Sequence, residues 1–165
     1  MRADPIPVLE ARRSFRRFRP DPVEREKIER VLYAGRIAPS SKDSQPWRFY
    51  VVRDPELRRR LASLKPGHGF VAEAPVVIVV TCDSRETRRP LEDGSCAALS
   101  MWIAACGLGL GAVWVAVANT LEDEVREVLG IPRGERVICM LPIGYPAEEP
   151  RPKEIRPEEE VVRWL

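Results

Sequence analysis

Apolar residues recur along this chain in two rhythms, one helical and one of strand length. Over 23–38, Ile28, Val31, Leu32 and Gly35 share one face while Arg25, Lys27 and Arg30 point elsewhere, which predicts an amphipathic helix ended by Pro39. Residues 47–52 are aromatic and β-branched and predict a strand. Asp54, Pro55 and Glu56 supply a cap, a first-turn proline and an acid for a helix to about Leu64. The continuous apolar run 76–82 reads as a strand buried on both faces. Residues 92–108 form a helix that is apolar almost all round, through Ala97, Ala98, Met101, Trp102, Ala105 and Leu108. Such a helix is central or lies between subunits. A buried strand over 112–117, a helix from a Thr120 cap to Leu129, and a strand over 136–143 complete the pattern. A short helix is possible within 1–22, and the prolines at 20 and 22 make 18–22 extended. The tail from Ala147 has six acidic and four basic residues and is too polar for a core. It reads as an extended arm lying across something else, a second subunit being one such surface. Alternating helices and strands predict an α+β or α/β sandwich around a central sheet, in a dimer built on the 92–108 helix.

The 165 residues fit one domain. Twenty-seven Lys plus Arg against 25 Asp plus Glu leave a net charge of +2, which gives no reason to expect nucleic acid or an anionic membrane as partner. Cys82, Cys96, Cys106 and Cys139 form no CxxC, and each lies in an apolar stretch where a free thiol behaves as a small hydrophobe. That usage suits a reducing compartment. The N-terminus shows no apolar leader, and the longest apolar run is too short to span a bilayer, so a cytoplasmic protein is expected.

Three segments carry candidate chemistry. Arg12, Arg13, Ser14 and Arg16 bring three guanidiniums and a hydroxyl into five residues, a set suited to a phosphate and a planar polar ring, although by spacing alone such a run is more often a solvated basic stretch. The polar loop 39–46 holds Pro39, Ser40, Ser41, Asp43 and the chain's one Gln, Gln45; it can aim hydroxyls at a ligand or simply join helix to strand. Gly107, Gly109 and Gly111 spell GxGxG, but they close a helix and open a strand, the reverse of a dinucleotide-binding turn. Close helix–strand approach, with backbone N–H groups of the next strand left for a ligand, is their expected use. His68 sits in a Gly-flanked turn and reads as an exposed loop residue.

Taken in order, Arg12-Arg-Ser-Phe-Arg16, Ala38-Pro-Ser-Ser-x-x-x-Gln-Pro-Trp47, Glu73-Ala-Pro-Val-Val-Ile-Val-Val80, Asp93-Gly-x-x-Ala97, Gly109-Leu-Gly-x-x-Trp114 and Ile143-Gly-Tyr-Pro146 span nearly the whole chain. Together they resemble the FMN-dependent nitroreductase family. The resemblance implies a three-layer α+β sandwich, a mostly antiparallel central sheet flanked by helices, in an interlocked homodimer with FMN at the interface and a C-terminal arm over 147–165. It implies that Arg12, Arg13, Ser14 and Arg16 bind the flavin phosphate, ribityl chain and pyrimidine edge. Pro39, Ser40, Ser41 and Asp43 would reach the partner's FMN, the backbone of Ala116 and Val117 would face N5 and O4, and Lys153 and Arg156 would close on the phosphate. Three positions depart from the family pattern: Asp43 stands where Asn is frequent, Ala116 where Gly is, and Ile155 where Arg is expected. The implied activity is hydride transfer from NADH or NADPH through flavin to a nitroaromatic, quinone or related small-molecule acceptor, with no protein acid or base. Alternatives within the fold are dehalogenation, ring oxidation, flavin fragmentation, or flavin binding without turnover.

Overall fold

The computed structural model describes residues 4–118 and 120–165; Met1, Arg2 and Ala3 of the stretch read for a leader lie outside them, as does Asn119. Its spine is β2 (Val76–Asp83), every residue of which is buried. Strand β1 (Trp47–Val52) pairs antiparallel along one side, with Trp47 opposite Cys82. Strand β5 (Glu135–Gly144) pairs antiparallel along the other, with Val76 opposite Ile143. Side-chain alternation sends Val76, Ile78, Val80 and Cys82 into one apolar cluster and Val77 and Val79 into another. The first cluster includes Ile28 and Val31 of α2 (Arg25–Arg36) and Ala97, Ala98, Met101 and Ala105 of α5 (Pro90–Gly107). The second holds Leu61 of α3 (Pro55–Ser63), Val71 of α4 (Phe70–Glu73) and Val125 of α6 (Glu122–Leu129). Helices therefore cover both faces of an antiparallel sheet, the expected three-layer α+β architecture.

The far side of β5 corrects one expectation. Instead of a single strand over 112–117, two short pieces pair with β5: β3 (Gly111–Ala112), opposite Gly144 and Ile143, and β4 (Val115–Ala116), opposite Met140 and Cys139. Between them Val113 N–H donates to the Pro142 carbonyl at 3.3 Å. Pro142 has no N–H to return the bond, so the ladder breaks there. A bulge also interrupts β5 against β2: Val80 faces Cys139 and Thr81 faces Val137, which leaves Ile138 unopposed. Ile138 and Cys139, although consecutive, consequently belong to the same cluster.

Helix α5 lies unusually close to this bulge because its inner face is made of small residues. A Cβ on Gly94 would stand 2.5 Å from Ile138 Cγ1 and 3.1 Å from Cys82 Sγ. Its outer face leaves Leu99 47% exposed and Leu91 38%; Tyr33 of α2 and Ile37, which caps α2, are exposed too.

At the element ends, the Asp54 carboxylate accepts from Leu57 N–H at 2.9 Å as expected of an N-cap, and Gly130 closes α6 in the left-handed region at φ +66°. Thr120 is not the cap of α6: Leu121 holds that position, and Thr120 Oγ1 donates back to the Val117 carbonyl. Two short helices, α1 (Ile6–Ala11) and α7 (Glu158–Val161), complete the set; α7 corrects the reading of the tail as extended throughout. No helix among the described residues is long and apolar enough to cross a membrane.

One partly buried polar link ties β1, β2 and β5. Tyr50 hydroxyl donates to Glu135 Oε2 at 3.0 Å, and Thr81 hydroxyl donates to the same oxygen at 2.5 Å. Burial first, then the hydrogen bond to the Glu135 carboxylate, pushes the Tyr50 phenol up to about 12. A native ultraviolet titration is expected to show one of the three tyrosines ionising near pH 12. Because the folded value lies above the unfolded one, this contribution to stability is complete below about pH 10 and is lost as pH rises toward 12. Tyr50→Phe should remove the late step from the titration; a late step that survives would mean another residue produces it.

Candidate functional site

The basic segment after α1 is held against the sheet by its backbone. Phe15 N–H donates to the Ala112 carbonyl at 3.1 Å, and Arg19 N–H to the Tyr145 carbonyl at 2.8 Å. Phe15 itself packs on Gly111, where a Cβ would come within 3.0 Å of its side chain, so this glycine is what lets the segment approach. Arg12, Ser14 and Arg16 occupy alternate positions of the extended segment, which places them together on one face. The Arg12 guanidinium lies 4.2 Å from the centre of the Trp102 ring on α5. The Ser14 hydroxyl and Arg16 guanidinium have no hydrogen-bond or ion-pair partner among the described residues. Arg13 faces elsewhere: its guanidinium donates to the carbonyls of Glu10, Arg12 and Arg151. Arg13 thus fastens the tail to the body, while its neighbours keep free donors.

The tail is fastened at a second point. Glu148 Oε1 accepts the backbone N–H of both Arg16 and Arg17. From Arg151 to Leu165 every residue is exposed. Lys153 has no partner among the described residues, and Arg156 pairs only within the tail, with Glu160 at 2.8 Å. Trp164 is 88% exposed and Ile155 77% exposed.

The 39–46 loop is built from inside by a residue that the sequence showed in a motif but gave no site role. Asp93, in the first turn of α5, is only 3% exposed. Its Oδ1 accepts Ser41 N–H at 2.7 Å and its Oδ2 accepts the Thr87 hydroxyl at 2.6 Å. The loop also closes on itself, Ser40 Oγ accepting from Gln45 N–H at 3.0 Å and Asp43 Oδ1 from the Gln45 amide at 3.1 Å. Lys42, Asp43 and Gln45 all have positive φ, a strained run for non-glycine residues. Pro39 and Asp43 stand exposed at its surface. The signal for Asp93 lay in its place directly before Gly94, where the small inner face of α5 begins; its pairing with a loop 52 residues earlier in the chain lay outside any local pattern.

These two groups of residues do not meet within one chain. Asp93, which anchors the loop, and Trp102, which carries Arg12, are nine residues apart on α5, about 14 Å of helix axis. Ala116 lies exposed on β4 near the basic segment's sheet partner, β3. Val117 N–H is engaged, donating to the Ile138 carbonyl at 3.4 Å, and Ala118 N–H shares that carbonyl at 3.2 Å. The GxGxG stretch does not serve close helix–strand approach as a unit: only Gly111 is tightly packed, against Phe15, while Gly107 meets Val8 at ordinary contact distance and Gly109, at φ +75° with nothing within 4 Å of a Cβ, serves the turn. His68 is half-buried rather than exposed, its ring tilted against Phe70, and burial followed by the nearby Lys65 charge lowers its pKa.

The model of the nitroreductase family matches residues 9–68 and 63–145. The chain belongs to the nitroreductase family. A provisionally named NADH dehydrogenase/NAD(P)H nitroreductase of Methanothermobacter thermautotrophicus is 37% identical over 158 residues, covering 92% of this chain and 82% of that protein. An NADH dehydrogenase of Thermus thermophilus is 30% identical, covering 96% and 98%. Among solved structures, an FMN-dependent nitroreductase of Clostridium difficile superposes with a TM-score of 0.88 at 33% identity, over 96% of this chain and 98% of that one.

Proposed function

We propose that this nitroreductase-family chain is an FMN-dependent oxidoreductase that takes hydride from NADH or NADPH and reduces a nitroaromatic, quinone or related small acceptor. The observation that carries the reading is the donor set of the basic segment. Arg12, Ser14 and Arg16 present two guanidiniums and a hydroxyl on one face, without carboxylate partners, and that chemistry fits a phosphate, a polyol chain and the carbonyl edge of a flavin. When bound, FMN supplies the hydride acceptor and the electron store. The chain's own residues bind it and fix its orientation. A guanidinium of Arg12 or Arg16 holds positive charge where negative charge gathers on a reduced ring, which is preorganised electrostatic support. No side chain is required as acid, base or nucleophile.

The second group of ligands comes from another copy. Pro39, Ser40, Ser41 and Asp43 sit at the other end of α5 from Arg12, so a cofactor touched by both groups lies between two chains. The exposed stripe of Leu91 and Leu99, with Tyr33 and Ile37, forms the face on which the copies meet. The exposed arm then lies across the partner, bringing Lys153 and Arg156 toward the cofactor phosphate. Arg13 supports the site through the tail. Val117, whose N–H is held by Ile138, offers its carbonyl side alone.

An absorption spectrum tests this reading. Purified protein, given FMN and desalted, is expected to keep flavin bands that bleach under anaerobic NADH or NADPH. Protein that retains no flavin would overturn the proposal; flavin that stays oxidised with both nucleotides would leave the fold's cofactor and exclude this reductant.

A further inference from the structure

The loop that Asp93 holds forms one wall of a cavity of about 490 Å³, and the connection between β2 and α5 forms the other. Four cationic side chains line it: Lys42 from the first wall, and Arg85, Arg88 and Arg89 from the second. One carboxylate, Glu86, lines it too, but Glu86 is already matched by Arg48 at 2.8 Å. Arg85 is matched by Asp83 at 2.6 Å, and Arg89 reaches Glu92 only at 4.0 Å. Lys42 and Arg88 have no partner among the described residues. The cavity therefore carries uncompensated positive charge, and Ser44 Oγ in its lining is buried without a hydrogen-bond partner. Asp93 accepts from Ser41 on one wall and Thr87 on the other, so a single buried carboxylate sets the spacing between them. The cavity is a prebuilt feature and not two loops that happen to pass.

We infer that this cavity is the docking site for the phosphates of the nicotinamide dinucleotide. The inference rests on the proposed function, in which Ser40, Ser41 and Asp43 flank the cofactor. Those residues and the cavity wall belong to one five-residue turn. A ligand with one end at the cofactor and the other in the cavity must join a planar redox ring to an anionic group, and a dinucleotide reductant has that form. Arg forks bind phosphate oxygens in pairs, and hydroxyls such as those of Ser44 and Ser84 suit a sugar-phosphate. The volume lies within the range of small-molecule sites. The phosphate bound is either the diphosphate common to NADH and NADPH or the 2′-phosphate of NADPH alone.

The test compares the wild type with Arg88→Ala and Arg88→Glu as dimeric, FMN-loaded proteins. Anaerobic flavin reduction at increasing NADH and NADPH gives an apparent Kd and a limiting rate for each. Arg88→Ala should raise the Kd about tenfold and Arg88→Glu further, with flavin retention and limiting rate unchanged. Equal weakening of both nucleotides assigns the diphosphate; weakening of NADPH alone assigns the 2′-phosphate. Calorimetric titration with ADP-ribose and its 2′-phosphorylated form reads the same site without redox chemistry, and it does so even in protein that holds no flavin. Failure of the cofactor reading is thereby kept apart from failure of this one. If Arg88→Glu leaves both Kd values and both titrations at wild-type levels, the cavity does not bind the nucleotide.

Discussion

Arg12→Ala is expected to strip FMN from the protein, raising its Kd by at least about tenfold and as much as a hundredfold. The estimate follows from the loss of hydrogen bonds from a charged group, about 1.5–3 kcal/mol. Arg12 is singled out because its guanidinium is positioned on the Trp102 face and has no carboxylate to occupy it, so little else needs to change when a ligand arrives. The fold should survive, since the segment is held by backbone bonds from Phe15 and Arg19 and by the packing of Phe15 on Gly111. Arg13→Ala makes the contrast. Its guanidinium reaches the Arg151 carbonyl, so its loss should loosen the tail and weaken flavin less than Arg12→Ala does. Flavin titration by fluorescence quenching ranks the two variants. Equal retention in Arg12→Ala and wild type would show that the face of Arg12, Ser14 and Arg16 is not the cofactor site.

Asp93→Ala is expected to cost about 3 kcal/mol or more of stability, because two charge-assisted bonds vanish and Ser41 N–H and the Thr87 hydroxyl lose their buried acceptor. The positive φ angles at Lys42, Asp43 and Gln45 persist only where the surroundings impose them, so without Asp93 the loop should also relax from this conformation. Asp93→Asn keeps an acceptor for one bond and should lose less. Urea denaturation measures both. A midpoint within error of wild type for Asp93→Ala would mean that the loop holds its shape by its own Ser40–Gln45 and Asp43–Gln45 bonds.

Much of this architecture was legible in the sequence because local and tertiary forces agree there. The apolar run at 76–82 could be buried only on both faces, and it became the central strand; 47–52 matched its strand residue for residue. The α5 pattern lacked a polar face, and the structure shows why: its inner side needs small residues at the sheet, and its outer side keeps Leu91 and Leu99. The readings that failed turned on partners distant in the chain. Nothing within 112–117 reveals that Pro142 lies opposite and cannot donate. Nothing near Thr120 reveals that its hydroxyl is drawn to the Val117 carbonyl. For the site, residue types announced the basic segment, but its alternation, which divides Arg13 from Arg12 and Arg16, depends on where the segment lies against β3. Asp93 stood in the sequence only as part of a short motif, with a second acid, Glu92, beside it; burial separates them.

The bulge at Ile138 makes β5 the one strand of the main ladder with a residue to spare. Deleting Ile138 would flatten the strand, and Val137, Cys139, Met140, Leu141 and Ile143 would all keep their faces, because the residue removed has no opposite number on β2. The same one-residue loss inside β2 would turn half of a fully buried strand to the wrong cluster. Yet the carbonyl that holds Val117 and Ala118 would be gone. At this position a change of chain length spares the framework and falls on the segment after β4, so tolerance of deletion and preservation of function part company at a single residue.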